Sequence, residues 1–259
     1  MTATRQHGPA IEFRNVAFRF ANGQELLADL NLQVRRGETL ILLGRSGSGK
    51  TTTLKLMNAL ASPTKGEVLI EGRATTAWDP IRLRRGIGYV IQDAGLFPHF
   101  TVERNIGLVP TIEHWPAERI RQRVHELLQL VGLEPALASR YPRELSGGQR
   151  QRVGVARGLA ADPPILLMDE PFGALDPITR AELQREFRAL QQRLQKTVVF
   201  VTHDLREALL IGTRIALMEG GKMVVDLPTA EFTRSSDPLV QKYLDAFDSA
   251  PSDGKRGIA

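Results

Sequence analysis

Residues 39–52 read Thr-Leu-Ile-Leu-Leu-Gly-Arg-Ser-Gly-Ser-Gly-Lys-Thr-Thr, a short apolar run that stops in a glycine-rich turn. A run of that length bounded by a turn signals a buried strand. Gly44 to Thr51 also fits the phosphate-loop spacing G-x-x-x-x-G-K-[ST], placed after a strand and before a helix as the mechanism needs. Gly44, Gly47 and Gly49 let the backbone curl, so that the amides of the loop, those of Ser46 and Ser48 included, point inward at phosphate oxygens. Lys50 supplies a cation, Thr51 a hydroxyl for Mg²⁺, and Thr52 continues the cradle into the helix. A helix terminus alone offers a surface anion only about 0.3 to 1 kcal/mol, so the amide nest, Lys50 and the metal must carry most of the affinity.

Working outward, Ile11 to Val16 and Leu26 to Val34 alternate apolar and polar residues, which predicts an antiparallel β layer at the N-terminus. Leu54, Met57 and Leu60 follow the turn at helical spacing. Further strands are expected at Glu67 to Glu71, Ile87 to Ile91, Ile165 to Met168, Thr197 to Val201 and Arg214 to Met218. Leu183, Phe187, Leu190 and Leu194 mark one face of a long helix, and the alternation of strand and helix predicts a mostly parallel sheet. Residues 96–160 interrupt it: Ile120, Val124, Leu127 and Val131 form a helical stripe and another helix begins near Ser146. The fold class expected is therefore α/β, a mostly parallel core with an antiparallel β layer and an inserted helical subdomain at 96–160, within one domain spanning 1–259. A short helical tail is expected over 227–259, carrying Leu239, Tyr243, Leu244 and Phe247, and its polar end from Ser249 is expected to be mobile.

Composition bounds the chemistry. The 259 residues are 42% apolar and 24% charged, ordinary globular usage, and long enough for a sizeable core. No stretch free of Asp, Glu, Lys and Arg exceeds nine residues, against about twenty apolar residues for a membrane span. The opening Met1 to Ala10 lacks the apolar core of a secretory signal, so a cytosolic compartment is expected. With no cysteine, thiolate nucleophiles and cysteine-based metal sites are excluded, and any metal is held by oxygen or nitrogen. The net charge of +5 is modest, and the densest basic region, eight Arg against four Glu between Pro116 and Arg157, reads first as a solvated helical face.

Ile165-Leu-Leu-Met-Asp169-Glu170 is a buried strand with two carboxylates at its C-terminal end, where ligands bind in open α/β sheets. Asp169 can reach Mg²⁺ through its water shell, while Glu170 faces the γ-phosphate side and can orient or deprotonate an attacking water. In Leu145-Ser146-Gly147-Gly148-Gln149, Ser146 is a good helix N-cap and the two glycines bare the first-turn amides, making a second anion site.

With Gln92 before that segment and His203 after it, the chain resembles the nucleotide-binding subunit of an ATP-binding cassette transporter. The resemblance implies an ATPase using ATP and Mg²⁺. It also implies head-to-tail homodimerisation, so that the phosphate loop of one subunit and Ser146 to Gln149 of the other enclose one ATP. It further implies that Phe20 stacks on adenine, with a core aromatic beside Phe18 as the competing reading. Gln92 would contact Mg²⁺ and water, and His203, the only one of five histidines to end an apolar strand, would touch the γ-phosphate. Gly173-Ala-Leu-Asp176 matches the loop by which one subunit senses the other, with Gly173 standing where Ser is usual.

Only 94 residues, Thr51 to Glu144, separate Lys50 from Leu145, which leaves no room for the long coiled coil of chromosome-structure ATPases. No Asn-Lys-x-Asp guanine motif is present. The segments from Gln92 to Ile106, Gly147 to Arg157, Asp169 to Ile178 and Val201 to Gly212 resemble the ATPases of importers for glycine betaine, carnitine, choline and related osmoprotectants. That resemblance implies transmembrane permease partners, an extracytoplasmic solute-binding protein and a place at the inner face of the cell membrane, with no nucleic-acid partner. The paired CBS domains that many such subunits carry are not expected in a chain ending at Ala259. A cassette for another solute, or a soluble mechanochemical ATPase, is the alternative.

Overall fold

Two sheets contain the strands read from the sequence. The computed structural model describes residues 8–249. Strands β1 (Ile11–Arg19), β2 (Glu25–Val34), β3 (Thr39–Leu43), β4 (Lys65–Ile70) and β5 (Arg73–Ala74) come first, then β6 (Ile87–Val90), β7 (Ile165–Asp169), β8 (Thr197–Thr202), β9 (Arg214–Glu219) and β10 (Lys222–Pro228). The smaller sheet is antiparallel in the order β2-β1-β4-β5, and the larger runs β10-β9-β3-β8-β7-β6 with all neighbours parallel except β10 and β9.

The continuous apolar runs have a direct cause. Along β3, Leu40 and Leu42 enter one core while Ile41 and Leu43 enter the other, and Val199 and Val201 of β8 alternate with Val198 and Phe200 in the same way. A strand buried on both faces has no polar side to show in its sequence. The first core lies between the two sheets and includes Phe13, Val16 and Leu30 together with Leu54 and Met57 of α1 (Lys50–Met57). Three short helices, α2 (Pro80–Arg85), α3 (Val102–Ile106) and α4 (Leu108–Ile112), lead into the inserted helices α5 (Ala117–Leu130) and α6 (Gly147–Leu159). These pack into the second core, as do α7 (Pro177–Leu194) and α8 (Leu205–Ile211). The chain closes with α9 (Thr229–Phe232) and α10 (Pro238–Ser249).

Two expectations are corrected. The first helix stops before Leu60: Asn58 is its C-cap and accepts the Leu60 N–H through Oδ1 at 3.2 Å, Ala59 turns left-handed at φ 54°, and Leu60 is left half exposed. The tail boundary at 227 falls inside β10, which forms a hairpin with β9 across Gly220-Gly221, both at positive φ. A Gly-Gly pair between two apolar runs is a hairpin signal that the sequence reading passed over. The polar end beyond Ser249, expected to be mobile, lies outside the described residues, and so do residues 1–7 of the opening segment. Among the described residues no helix is long and apolar enough to cross a membrane.

Candidate active site

Four adjacent parallel strands, in the order β3-β8-β7-β6, end on one side of the sheet and deliver the site. Gly44 follows β3, His203 follows β8, Glu170 follows β7 and Gln92 lies just past β6. Pairing of Asp169 with Val201, and of Leu43 with Thr202, brings residues far apart in sequence to the same level. A cavity of about 1120 Å³ opens there, lined by Gly44, Arg45 and Ser46 on one side and by Gln92, Glu170 and His203 on another. Tyr243 and Phe247 of α10 form a further wall that the sequence reading had not placed at the site.

The phosphate loop holds its shape by local chemistry. Gly44, Gly47 and Gly49 all have positive φ. A Cβ on Gly44 would lie 2.4 Å from the Met218 carbonyl oxygen, which bars a side chain there, and at Gly49 the φ of 100° strains any side chain, whose Cβ would also press within 2.4 Å of Leu27 Cδ2. Lys50 is buried and its Nζ donates to the carbonyls of Gly44 (2.7 Å) and Arg45 (2.8 Å). Burial pushes its ammonium below the usual lysine range, opposed by the carboxylates of Glu170 and Asp169. Those carboxylates are thus close enough to be felt by the same cation. Ser48 is buried and, among the described residues, its Oγ has no partner, a polar atom in an amide-lined turn of the kind a phosphate satisfies.

Thr51 Oγ donates to Asp169 Oδ1 at 2.9 Å, which places the two magnesium candidates side by side. Burial raises the Asp169 carboxyl, partly offset by the Thr51 hydrogen bond. Among the described residues no group of three His, Asp or Glu could cage a metal unaided. A hydroxyl and one carboxylate suit Mg²⁺, which keeps waters and completes its shell with substrate phosphates. The donor set therefore fits.

Glu170 leaves β7 in a left-handed conformation, φ 45°, held by its N–H donating to the Val201 carbonyl at 3.0 Å. A non-glycine residue there is uncommon and marks a conformation imposed by its surroundings. Its Oε2 lies 3.0 Å from Nδ1 of His203, whose side chain is 63% exposed. The pair can hold a water between the strand ends and take its proton. Gln92 is exposed, and a Cβ on Gly173 would sit 3.2 Å from its Nε2, so the residue in the serine position packs directly under the glutamine.

Of the phosphate loop only Gly44, Arg45 and Ser46 line the cavity; Gly47 to Thr52, Asp169, Phe20, Asp176 and Ser146 to Gln149 are not among the lining residues. Phe20 is 43% exposed and meets Phe18 edge to face at 5.5 Å, so it is beside Phe18 without being core. Ser146 is the N-cap of α6, with a capping box in which Gln149 N–H donates to Ser146 Oγ (3.2 Å) and Ser146 N–H to Gln149 Oε1 (2.9 Å). Asp176 caps α7 by accepting the Thr179 N–H, which holds its carboxyl below the usual range. A Cβ on Gly148 would come within 2.6 Å of Thr179 Cγ2, so the two helix starts are in contact. One chain thus carries a phosphate loop and, apart from the cavity, a second helix start at which the capping box uses the Ser146 and Gln149 amides but not those of Gly147 and Gly148.

Two polar groups near the site were not legible. Asn105 is buried; its Oδ1 accepts the Phe97 N–H and its Nδ2 donates to the carbonyls of Phe97, Phe100 and Thr101, fixing the loop that follows Gln92. Glu207 is buried on α8 behind His203. Asp204-Leu-Arg-Glu207 reads as a capping box, yet the Glu207 carboxylate turns inward instead, to Thr202 and Gln184.

A protein-family profile described as ABC transporter matches residues 27–173. The choline transport ATP-binding protein of Bacillus subtilis is 47% identical over 90% of this chain and 62% of its own length. The glycine betaine uptake system ATP-binding protein of Escherichia coli is likewise 47% identical, over 90% of this chain and 76% of its own. Among solved structures, a dimeric ATP-binding cassette in a post-hydrolysis state bound to ADP and Pi superposes with a TM-score of 0.75 at 35% identity, covering 85% of this chain and 98% of that one. The chain spans about 62% of the length of the Bacillus relative.

Proposed function

The chain belongs to the ABC transporter family, and from that premise we propose that it hydrolyses ATP to drive an importer of quaternary-amine osmoprotectants such as glycine betaine, carnitine or choline. The observation that carries the hydrolysis is the Glu170–His203 pair, 3.0 Å apart and facing the same cavity as Gly44 to Ser46. Glu170 orients a water for attack on the γ-phosphate and accepts its proton. His203 holds that carboxylate in line and contacts the γ-phosphate. Lys50, drawn back by two loop carbonyls, is poised to exchange them for phosphate oxygens at little cost in strain. Thr51 and Asp169, with Gln92, would hold Mg²⁺, which neutralises charge developing on the phosphates.

Ser146 to Gln149 of a partner copy supplies the second half of each nucleotide site, so that two ATP molecules close a twofold dimer; the likeness to a dimeric cassette bound to ADP and Pi supports this. The loop from Gln92 to Ile106, stapled by Asn105, meets the permease at the inner face of the membrane, and an extracytoplasmic protein selects the solute. The solute class rests on the 47% identity to relatives named for choline and glycine betaine.

Purification of tagged Glu170→Gln protein with ATP from detergent-solubilised native membranes tests this reading. Co-purification of a permease together with a domain or protein that binds quaternary amines is expected. A permease whose binding partner takes another solute would overturn the solute class, and recovery only in a soluble complex with nucleic acid or ribosomes would overturn transport.

A further inference from the structure

His203 is held by little of its own. Its side chain is largely exposed, and among the described residues Glu170 is the only side chain bonded to it. The orientation of its ring is therefore set by the backbone on either side, and that backbone is fixed by a buried polar cluster beneath it. Thr202, at the end of β8, is 1% exposed, and its Oγ accepts the N–H of Asp204 at 2.9 Å, closing a turn around His203. The same hydroxyl donates to Oε2 of Glu207, which is 4% exposed. Oε1 of Glu207 accepts from Nε2 of buried Gln184 at 2.8 Å. Gln184 stands on α7, the helix capped by Asp176, so Glu207 ties the strand end before the histidine to the helix that begins at the subunit-sensing loop.

From this chain of bonds we infer that Glu207 is a positioning residue for ATP hydrolysis, holding His203 toward Glu170 through the Thr202 hydroxyl. A carboxylate is suited to the place because it accepts from two donors at once, where a neutral side chain offers a single accepting oxygen. Burial works to raise the Glu207 carboxyl, and the Thr202 and Gln184 donors work against it. An isolated acid at such a depth would be costly, and the two donors offset that cost by meeting both oxygens. The inference rests on the ATPase reading given above.

The test compares Glu207→Leu, Glu207→Gln and Thr202→Val, the last of which keeps a β-branched residue in β8. Glu207→Leu and Thr202→Val should each lower kcat by about tenfold or more with KM for ATP changed less than about twofold, since the loss falls on the reacting step and not on nucleotide binding. Their double variant should be no slower than the worse single one, because both remove the same link. Glu207→Gln should recover most of the rate: its oxygen accepts from Thr202, and the Gln184 amide turns over to accept from the new nitrogen. The second readout is the ring-nitrogen NMR shifts of His203 in the nucleotide-free protein, assigned by their loss in His203→Ala. They should move in Glu207→Leu and Thr202→Val and return in Glu207→Gln.

Unmoved shifts, a wild-type kcat in folded Thr202→Val, or additive losses in the double variant would overturn the role. Should Glu207→Leu fail to fold, Thr202→Val and the ring shifts still decide. Absence of ATP turnover sensitive to Glu170→Gln would instead sink the ATPase reading, and the ring shifts would then judge the link between Glu207 and His203 by itself.

Discussion

Glu170 and Asp169 are neighbours in sequence with divided tasks. Asp169 still belongs to β7 and faces Thr51, whereas the left-handed turn at Glu170 sends its carboxylate across to His203. Replacing Glu170 by Gln keeps size and polarity but removes the proton acceptor. Steady-state ATP turnover should fall by about a hundredfold or more, while ATP affinity measured by calorimetry stays within a few-fold. Unchanged turnover would show that another group takes the proton. Phe20 makes a second test at this scale. If it stacks on adenine, Phe20→Ala should weaken ATP by about 1 to 3 kcal/mol and leave pyrophosphate binding unchanged, whereas equal losses would mean that the ring serves its contact with Phe18. Which of these residues sequence alone can reveal follows from the physics. The phosphate loop is legible because its chemistry is backbone and contiguous, so glycine spacing declares it. The Glu170–His203 contact spans 33 positions and becomes visible only once β7 and β8 are known to be neighbours, which no local pattern states.

Between elements, closeness depends on what is missing. A Cβ on Gly88 of β6 would lie 2.3 Å from the Gly158 carbonyl oxygen and 2.7 Å from Leu166 Cδ1, so α6 rests directly on the strand. Since α6 presents Ser146 and its bared amides at the other end, this contact sets where the second anion site points. Gly88→Ala should destabilise the fold by about 1 to 3 kcal/mol, read as a lower midpoint in urea. An unchanged midpoint would mean that the helix can shift freely. Asn105 is the corresponding staple for the loop after Gln92. Its amide serves one donor and three acceptors, and Asn105→Ala would leave the Phe97 N–H to find another partner. The expected cost is about 1 to 3 kcal/mol, together with faster proteolysis between Phe97 and Thr101. Periodicity places α5, which buries Val124 and Leu127 of its stripe, while the start of α6 is read from Ser146. It was silent on Asn105, since one polar residue in an exposed-looking stretch carries no period.

At the scale of the whole molecule the question is whether one chain suffices. The cavity is lined by the start of the phosphate loop, Gly44 to Ser46, and by the Glu170–His203 pair, but not by Ser146 to Gln149, which open α6 beside the start of α7. If two copies complete each other head to tail, each nucleotide contacts Lys50 of one subunit and Ser146 of its partner copy. Lys50→Ala and Ser146→Arg proteins should then each be inactive alone. Mixed, they form heterodimers in which both defects fall on one site and the other site has an intact loop and intact amides. An equimolar mixture should recover roughly a quarter of wild-type turnover, half the dimers being mixed and each holding one good site of two. A site complete within one chain predicts no recovery at all, because every chain in the mixture carries a defect. Light scattering on the Glu170→Gln protein supplies the physical counterpart: with ATP the mass should double, and with ADP it should return to that of one chain. A mass independent of nucleotide would disconnect the site from assembly and leave the bared amides of α6 without a ligand.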